Sequence, residues 1–499
     1  MLKRDSFFII FYMGNDKREQ FHKKRRHFSA VGLLTALCML LSGCAGKISF
    51  ADKGEGETEF AMETLGLEPD FSYERKPESP SVQVDRLGYL PGSSKIAVFQ
   101  GEDLPERFRV MAENSGKCVY EGDIRIRGEA AGGIFTGYGN FTGLQEEGSY
   151  YIECDRIGCS YYFDVKKEVY LETAEEYGKI IEDMQNNEGP QETVDICEVA
   201  SYLLTAYEMY PELLTDIWNA GSLGPETEET EAEEFFQMLR KKTDLLLTAQ
   251  DEKTGGIYGS TEALSTAEET PQEREGEVSE EATAAFAGTM AKYGYLYQEY
   301  DWDYANICLK AASKAWRCLE RTEQRNGVPK DSVATGKIYA ASELYRASNE
   351  RLYHNYILQN RELVTGGKED LYLLMGKVTY LFSRRTVDHE LCGEIMAGLM
   401  KSAEETVSNE KAGLFLIQEQ ETDAILWDMT VLALANYAIM NHEYATVIEN
   451  HLHYLLGRNE DGALLMENPD GREAAKMLLL FSLVEAERRI VEEAETETE

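Results

Sequence analysis

The sequence predicts a multidomain chain with two folded parts in series: a small β-sandwich, then a closed double ring of about twelve α-helices, an (α/α)6 toroid. Two patterns carry this prediction. Between Ser81 and Val165 short apolar runs alternate residue by residue and are broken by Gly, Pro and Asn, as in the half-buried strands of a sandwich. From Val169 onward apolar residues recur at i, i+3, i+4 and i+7, the spacing of one helix face. A third observation, a basic and then apolar stretch ahead of Cys44, places both parts behind an export leader.

Taken in order, residues 1–44 read as a signal peptide. The cluster "KKRR" (Lys23–Arg26) precedes an apolar run from Phe28 to Leu41, which is 14 residues long and short of the ~20 that a spanning helix needs. The run ends in "LSGC", which resembles a bacterial lipobox and implies that Cys44 is lipidated. The expectation is an exported, cell-surface lipoprotein anchored at the membrane through Cys44. Residues 45–80 are acidic, contain "KGEGETE" and end in "RKPESP", the composition of a flexible tether.

Residues 81–167 contain "VQVDRLGYLPGSSKIAVF", "RFRVMAENSGKCVYEG", "GIFTGYGNFTGL" and "GSYYIECDRIGCSYYFDV". Period-two runs with turns about every 8–12 residues fit a sandwich of immunoglobulin-like size. The stretch "GEAAGGIFTGYG" is glycine-rich but sits between strands with no helix after it, so it is not a phosphate loop. Residues 168–491 are helical in period, as in "VASYLLTAYEMY" and "AILWDMTVLALANYAIM". Twelve such segments joined by loops imply repeated αα-hairpins closing into a double ring. The connections Gly221–Thr230 and Ser260–Ser279 are acidic surface loops, and residues 492–499 a solvated acidic tail.

The charge balance excludes some partners. With 50 Lys and Arg against 90 Asp and Glu, the net charge is −40, a surface that repels nucleic acid and anionic lipid. Neutral ligands stay open. Of nine cysteines, Cys38 leaves with the leader and Cys44 carries the lipid. The remaining odd number, paired in spacing only at Cys154 and Cys159, argues against a disulfide framework, and no Cys/His group has zinc spacing. These cysteines read as small buried apolar residues, with one bridge left open.

The stretch "YLLGRNEDGALLMENPDGRE" poses the question of chemistry. Asp470 and Glu473, just before "MLLLFSLV", have the spacing of a helix-capping box. They are also two carboxyls at the start of the last helix. Trp218, Trp302 and Trp316 fall on apolar stripes or helix ends and read as packing.

A sandwich followed by a twelve-helix ring resembles the cellulase-type enzymes of glycoside hydrolase family nine. The sandwich runs "VQVDRLGYLPGSSKIAVF" and "GSYYIECDRIGCSYYFDV" are similar to that family's N-terminal domain. "LLTAYEMYPELL", "LLLTAQDEKTGGIYG", "KIYAASELYRASNERLY" and "HYLLGRNEDG" are similar to its ring segments, in family order from Ser81 to about Arg489. No cofactor and no metal is expected from these residues. The resemblance implies an inverting hydrolase with two carboxyls about 6.5–9.5 Å apart, one protonating the leaving oxygen and one activating water.

The family's chemical motifs do not follow. The base motif Asp-Ala-Gly-Asp is missing from "EDMQNNEGPQETVDICEVASYLL"; counting back from "LLTAYE" puts Gln185 and Glu188 at its two carboxylates. The His-His-Arg clamp after "LLGRN" is replaced by "EDGALLMENPDG", without histidine or arginine. The Asn-Glu pair that supplies the acid falls on Asp470, with Glu473 one turn along. A capping carboxylate is held charged by the helix N-terminus, whereas a general acid needs the opposite shift. Asp470 and Glu473 are therefore read as a cap. The resemblance places Trp427 near the cleft and Tyr258, in a Gly-Gly turn, on its exposed rim, where flat rings grip sugars; for Trp427 the apolar surroundings favour packing. Asp428 stands beside Trp427, with Asp423 one turn before, and either lines a pocket or faces solvent.

The reading is a cellulase-like surface lipoprotein of polysaccharide metabolism that has lost its catalytic machinery and binds a neutral β-glucan-type chain or acts as a scaffold. One alternative is an active inverting β-glycosidase that uses Glu188 as base and Asp470 or Glu473 as acid. The other is a structural component that binds a protein partner of the cell envelope.

Overall fold

The computed structural model describes residues 81–130, 132–186, 192–219, 231–260, 278–410, 413, 415–417 and 421–496. The leader with Cys44, the tether, Glu188, the connection 221–230 and most of the connection 260–279 lie outside them. These described residues form one compact unit.

Nine strands build the sandwich: β1 (Val82–Gln83), β2 (Gly88–Tyr89), β3 (Ile96–Gly101), β4 (Arg107–Ala112), β5 (Cys118–Ala130), β6 (Ile134–Asn140), β7 (Gly148–Cys154), β8 (Gly158–Cys159) and β9 (Phe163–Val165). They run in the order β1-β3-β6-β5-β4-β7-β9-β2, with β8 on β7. The long β5 joins the two layers: residues 118–123 pair with β4 and residues 124–130 with β6. Alternate residues of β4 and β7, Phe108 and Val110, Tyr150 and Ile152, turn inward onto Phe99, Phe141 and Phe163. The expected alternation is thus realised as packing. Where β2 meets β9 in parallel, Gly88 has φ +125°, and a Cβ there would lie 2.0 Å from the Asp164 carbonyl oxygen. Only glycine tolerates both.

Among the described residues fourteen helices follow where about twelve are expected: α1 (Leu171–Asn186), α2 (Thr193–Met209), α3 (Pro211–Asn219), α4 (Glu231–Thr248), α5 (Glu280–Tyr297), α6 (Trp302–Asn326), α7 (Asp331–Ser348), α8 (Arg351–Gln359), α9 (Arg361–Gly366), α10 (Leu371–Leu381), α11 (His389–Glu410), α12 (Thr422–Ile439), α13 (His442–Leu455) and α14 (Gly471–Thr496). The two unexpected ones are short. Pro211 cannot donate within a helix but suits a first helical position, so the chain leaves α2 at Tyr210 and restarts as α3; α9 is a six-residue piece after α8.

The helices alternate between two rings. The inner ring is α2, α5, α7, α10, α12 and α14, each packed on the next and α14 closing on α2. Their side chains meet at matching depth: the Ser201 and Thr289 hydroxyls lie 2.9 Å apart, and the Tyr339 hydroxyl is 3.3 Å from Ser201. Glu208 and Arg346 pair near the C-termini of α2 and α7, and Asp195 and Arg472 near the N-termini of α2 and α14, so these inner helices run parallel, with their N-termini at one mouth. Being covered on all sides, they are buried around most of their circumference, as in α2 from Ile196 to Ala206. Outer helices such as α6 keep a polar face.

At the other end the C-terminal turns hold a buried ionic cluster. Glu208 of α2 pairs with Lys292 (2.7 Å) and with Arg346, and Glu343 pairs with Arg346 and accepts from Thr379 (2.8 Å). Burial pushes the Glu208 carboxyl up, but Arg346 and Lys292 outweigh it and hold it well below the usual range.

The sandwich joins the ring through a buried seam. Arg86 N–H donates to the Leu456 carbonyl (2.8 Å), Asp85 and His453 meet at 2.7 Å with both side chains fully buried, and the Ser93 hydroxyl donates to Glu449 (2.5 Å). Burial, then the charges of Arg458, Arg488 and Lys95, hold His453 well below its ordinary pKa. Among the described residues no disulfide forms: Cys154 is paired across the strands with Gly158, not with Cys159. Trp316 is fully buried, but Trp302, expected to pack, is 67% exposed at the start of α6. It is the first residue of that helix, at one end of it.

Candidate functional site at the mouth of the ring

The mouth is built from the first turns of the inner helices. Asp470 caps α14: its Oδ1 accepts from the N–H groups of Arg472 and Glu473 (both 2.8 Å), and Glu473 Oε2 accepts from the N–H of Asp470 (2.8 Å). This reciprocal pair is a capping box. Partial burial pushes the Asp470 carboxyl up, but the Glu473 and Arg472 amides and the Arg472 guanidinium outweigh it and hold it below its usual range.

Two cations of the same helix reach the facing carboxylates of α2. Arg472 spans Asp195 (3.3 Å) and Asp470 (3.2 Å). One turn further in, Lys476 pairs with Glu198 (3.4 Å) and stands over the Tyr202 ring, 5.8 Å from its centre. At Gly471 a Cβ would lie 1.6 Å from the Met184 sulfur, so the end of α1 sits directly on the start of α14. Deeper in the ring Tyr372 stacks on Tyr339 with centroids 5.6 Å apart.

Of the residues singled out in the sequence, Asp470 and Glu473 stand together at this mouth, and Glu188 lies outside the described residues. Trp427, on α12, is half-buried against the ring core. Asp428 is also half-buried, and its charge acts on the buried His451. Tyr258 requires a correction. It was expected on an exposed rim but is 6% exposed. Ile257–Tyr258 form a strand, β10, that pairs with Val278–Ser279, β11, and the Tyr258 hydroxyl lies 3.4 Å from Asp251. Its turn is folded under that ribbon, which a reading of "TGGIYG" as a loop does not reveal.

The sequence reading passed over Asp195, Glu198, Arg472 and Lys476. Their only signal is that each falls within the first two turns of a helix next to a family-like segment. Among the described residues no group of three His, Cys, Asp or Glu side chains is placed to hold a metal ion.

A sandwich seated on a double ring of helices, with carboxylates at the N-terminal mouth of the inner ring, defines the class. A family model for glycosyl hydrolase family 9 matches residues 193–467, more than half of the chain, and one for the cellulase N-terminal ig-like domain matches residues 77–158. The chain belongs to glycosyl hydrolase family 9. No curated protein matches it.

Solved structures share the fold at low identity. A metagenome-derived family 9 endoglucanase aligns at TM-score 0.65 and 15% identity over 81% of this chain and 98% of that one. A family 9 protein of Bacteroides ovatus aligns at 0.64 and 15% over 81% and 99%. The protein AaCel9A, in complex with cellobiose-like isofagomine, aligns at 0.62 and 17% over 77% and 83%.

Proposed function

We propose that this chain is a catalytically degenerate family 9 protein of polysaccharide metabolism that holds a neutral β-glucan-type chain at the mouth of its ring without cleaving it. The observation that carries the reading is Arg472. Inverting hydrolysis needs a sugar ring and a water between two carboxyls. Of the carboxyls that the active alternative would use, Asp470 is tied to the Arg472 guanidinium, which also pairs with Asp195 across the mouth. Asp470 is also held in its charged form, the wrong state for a proton donor. Family membership and the sugar mimic bound by AaCel9A support a glucan as ligand, and the net charge of −40 disfavours an anionic chain.

The location belongs to the same proposal: the chain sits on the cell surface, anchored through Cys44. Cys44→Ser is expected to abolish incorporation of labelled fatty acid and to release the protein from membranes. Fatty-acid labelling that persists in the variant refutes the anchor.

The test of function is release of reducing sugar from soluble β-glucans by the full chain in detergent, beside Glu188→Gln and Asp470→Asn/Glu473→Gln. No release, with retardation of the protein in glucan-containing gels that Arg472→Ala or Lys476→Ala alters, is the expected result. Release abolished by any of the carboxyl variants overturns the degenerate reading and makes the chain a working glycosidase. Neither release nor retardation overturns the glycan and leaves an envelope scaffold.

A further inference from the structure

We infer that the groove between α13 and α14 is a second binding site, for a single uncharged sugar ring, separate from the mouth. It is a cavity of about 260 Å³ that borders the seam with the sandwich. Concave sites at domain interfaces are preferred places for small ligands.

The lining specifies the chemistry. Glu449, 1% exposed, is fixed by the Ser93 hydroxyl (2.5 Å), the Ser94 N–H (3.4 Å) and Arg488 (2.5 Å). Arg488 spends only Nη2 on that bond, so its other N–H groups are unused among the described residues. On the opposite side Glu487 is held by the Asn436 amide (2.9 Å) and stands 3.6 Å from His442 Nδ1. Ala445 and Val484 supply an apolar wall.

Rigid carboxylate acceptors, guanidinium donors and a small apolar face match the alternating hydroxyls and C–H face of a sugar. Glu449 and Arg488 neutralise each other, which leaves Glu487 to disfavour an anion. A uronic acid is thereby excluded and a neutral sugar admitted. None of the groove's lining residues belongs to the mouth, so the two stand or fall separately.

The test is saturation-transfer NMR and calorimetric titration of the full chain in detergent with glucose, cellobiose and glucuronate. Glucose and cellobiose are expected to bind and glucuronate not. Ala445→Phe, a half-buried helix-surface position where the larger ring fills the groove, is expected to abolish binding of glucose. Glu487→Gln is expected to weaken it about tenfold or more, the worth of a hydrogen bond to a charged group. Glucose binding that survives Ala445→Phe, or that is matched by glucuronate, overturns the inference, as does the absence of any glucose binding.

Discussion

Replacing Glu208 by Gln removes one charge from the ionic cluster at the C-terminal end of the inner ring while preserving shape. The cluster has two anions, Glu208 and Glu343, and two cations, Lys292 and Arg346, so it is neutral as a whole. Lys292 and Arg346 are 3% and 6% exposed, so the variant leaves a net positive charge with little solvent to screen it. Breaking a buried pair in this way costs about 3–5 kcal/mol. Over the roughly 330 residues from Leu171 to Thr496, an unfolding entropy of about 2.1 cal/mol/K per residue gives ~0.7 kcal/mol/K. The expected fall in Tm by calorimetry is therefore about 4–7 °C.

Two further readouts separate the charge from the packing. Glu208→Leu with Arg346→Met removes one anion and one cation, and should cost about 1–3 kcal/mol less than the sum of its single variants. The second readout is pH. Glu208 has a folded pKa below its unfolded value of about 4.5, so its contribution is complete above that value and is lost as pH falls below it. Glu208→Gln should lose that part of the acid sensitivity. A Tm within a degree of the parent, or additive single and double variants, refutes the reasoning.

Other outcomes test other parts. Asp470→Ala removes the cap of α14 and should cost about 1 kcal/mol in chemical denaturation; a loss near zero means that the capping box adds nothing to stability. Burial, reinforced by Asp216, Glu168 and Glu212 and offset in part by Arg489, raises the Glu485 carboxyl to about 7. A raised carboxyl is favourable while protonated and lowers stability as pH rises from its unfolded value towards 7. Glu485→Gln should therefore stabilise the fold at pH 8, by at most ~3 kcal/mol, and leave it unchanged at pH 4; equal effects at both pH values refute this. Gly457, at φ +128°, has Arg86 Cγ 2.7 Å from where its Cβ would be, so Gly457→Ala should cost about 2 kcal/mol or more at the seam. A Tm equal to that of the parent would show that the seam can yield.

The periodicities alone determined a great deal here. A period of two in "RFRVM" and "YYIEC" can bury only one face, which makes a sheet layer. A period near 3.6 in "VASYLLTAYEMY", continued through repeated hairpins, closes into a ring because each inner helix must be covered on all sides. Asp470 and Glu473 were legible for the same reason: a cap is local, made within four residues of chain. Tyr258 was not legible, because its burial comes from a ribbon formed with residues about twenty positions away. Nor was the pairing of Arg472 with Asp195, which joins residues 277 positions apart. Only closure of α14 onto α2 put a cation between the carboxylates at the mouth, since an ion pair depends on distance in space and sequence spacing does not encode that across a ring.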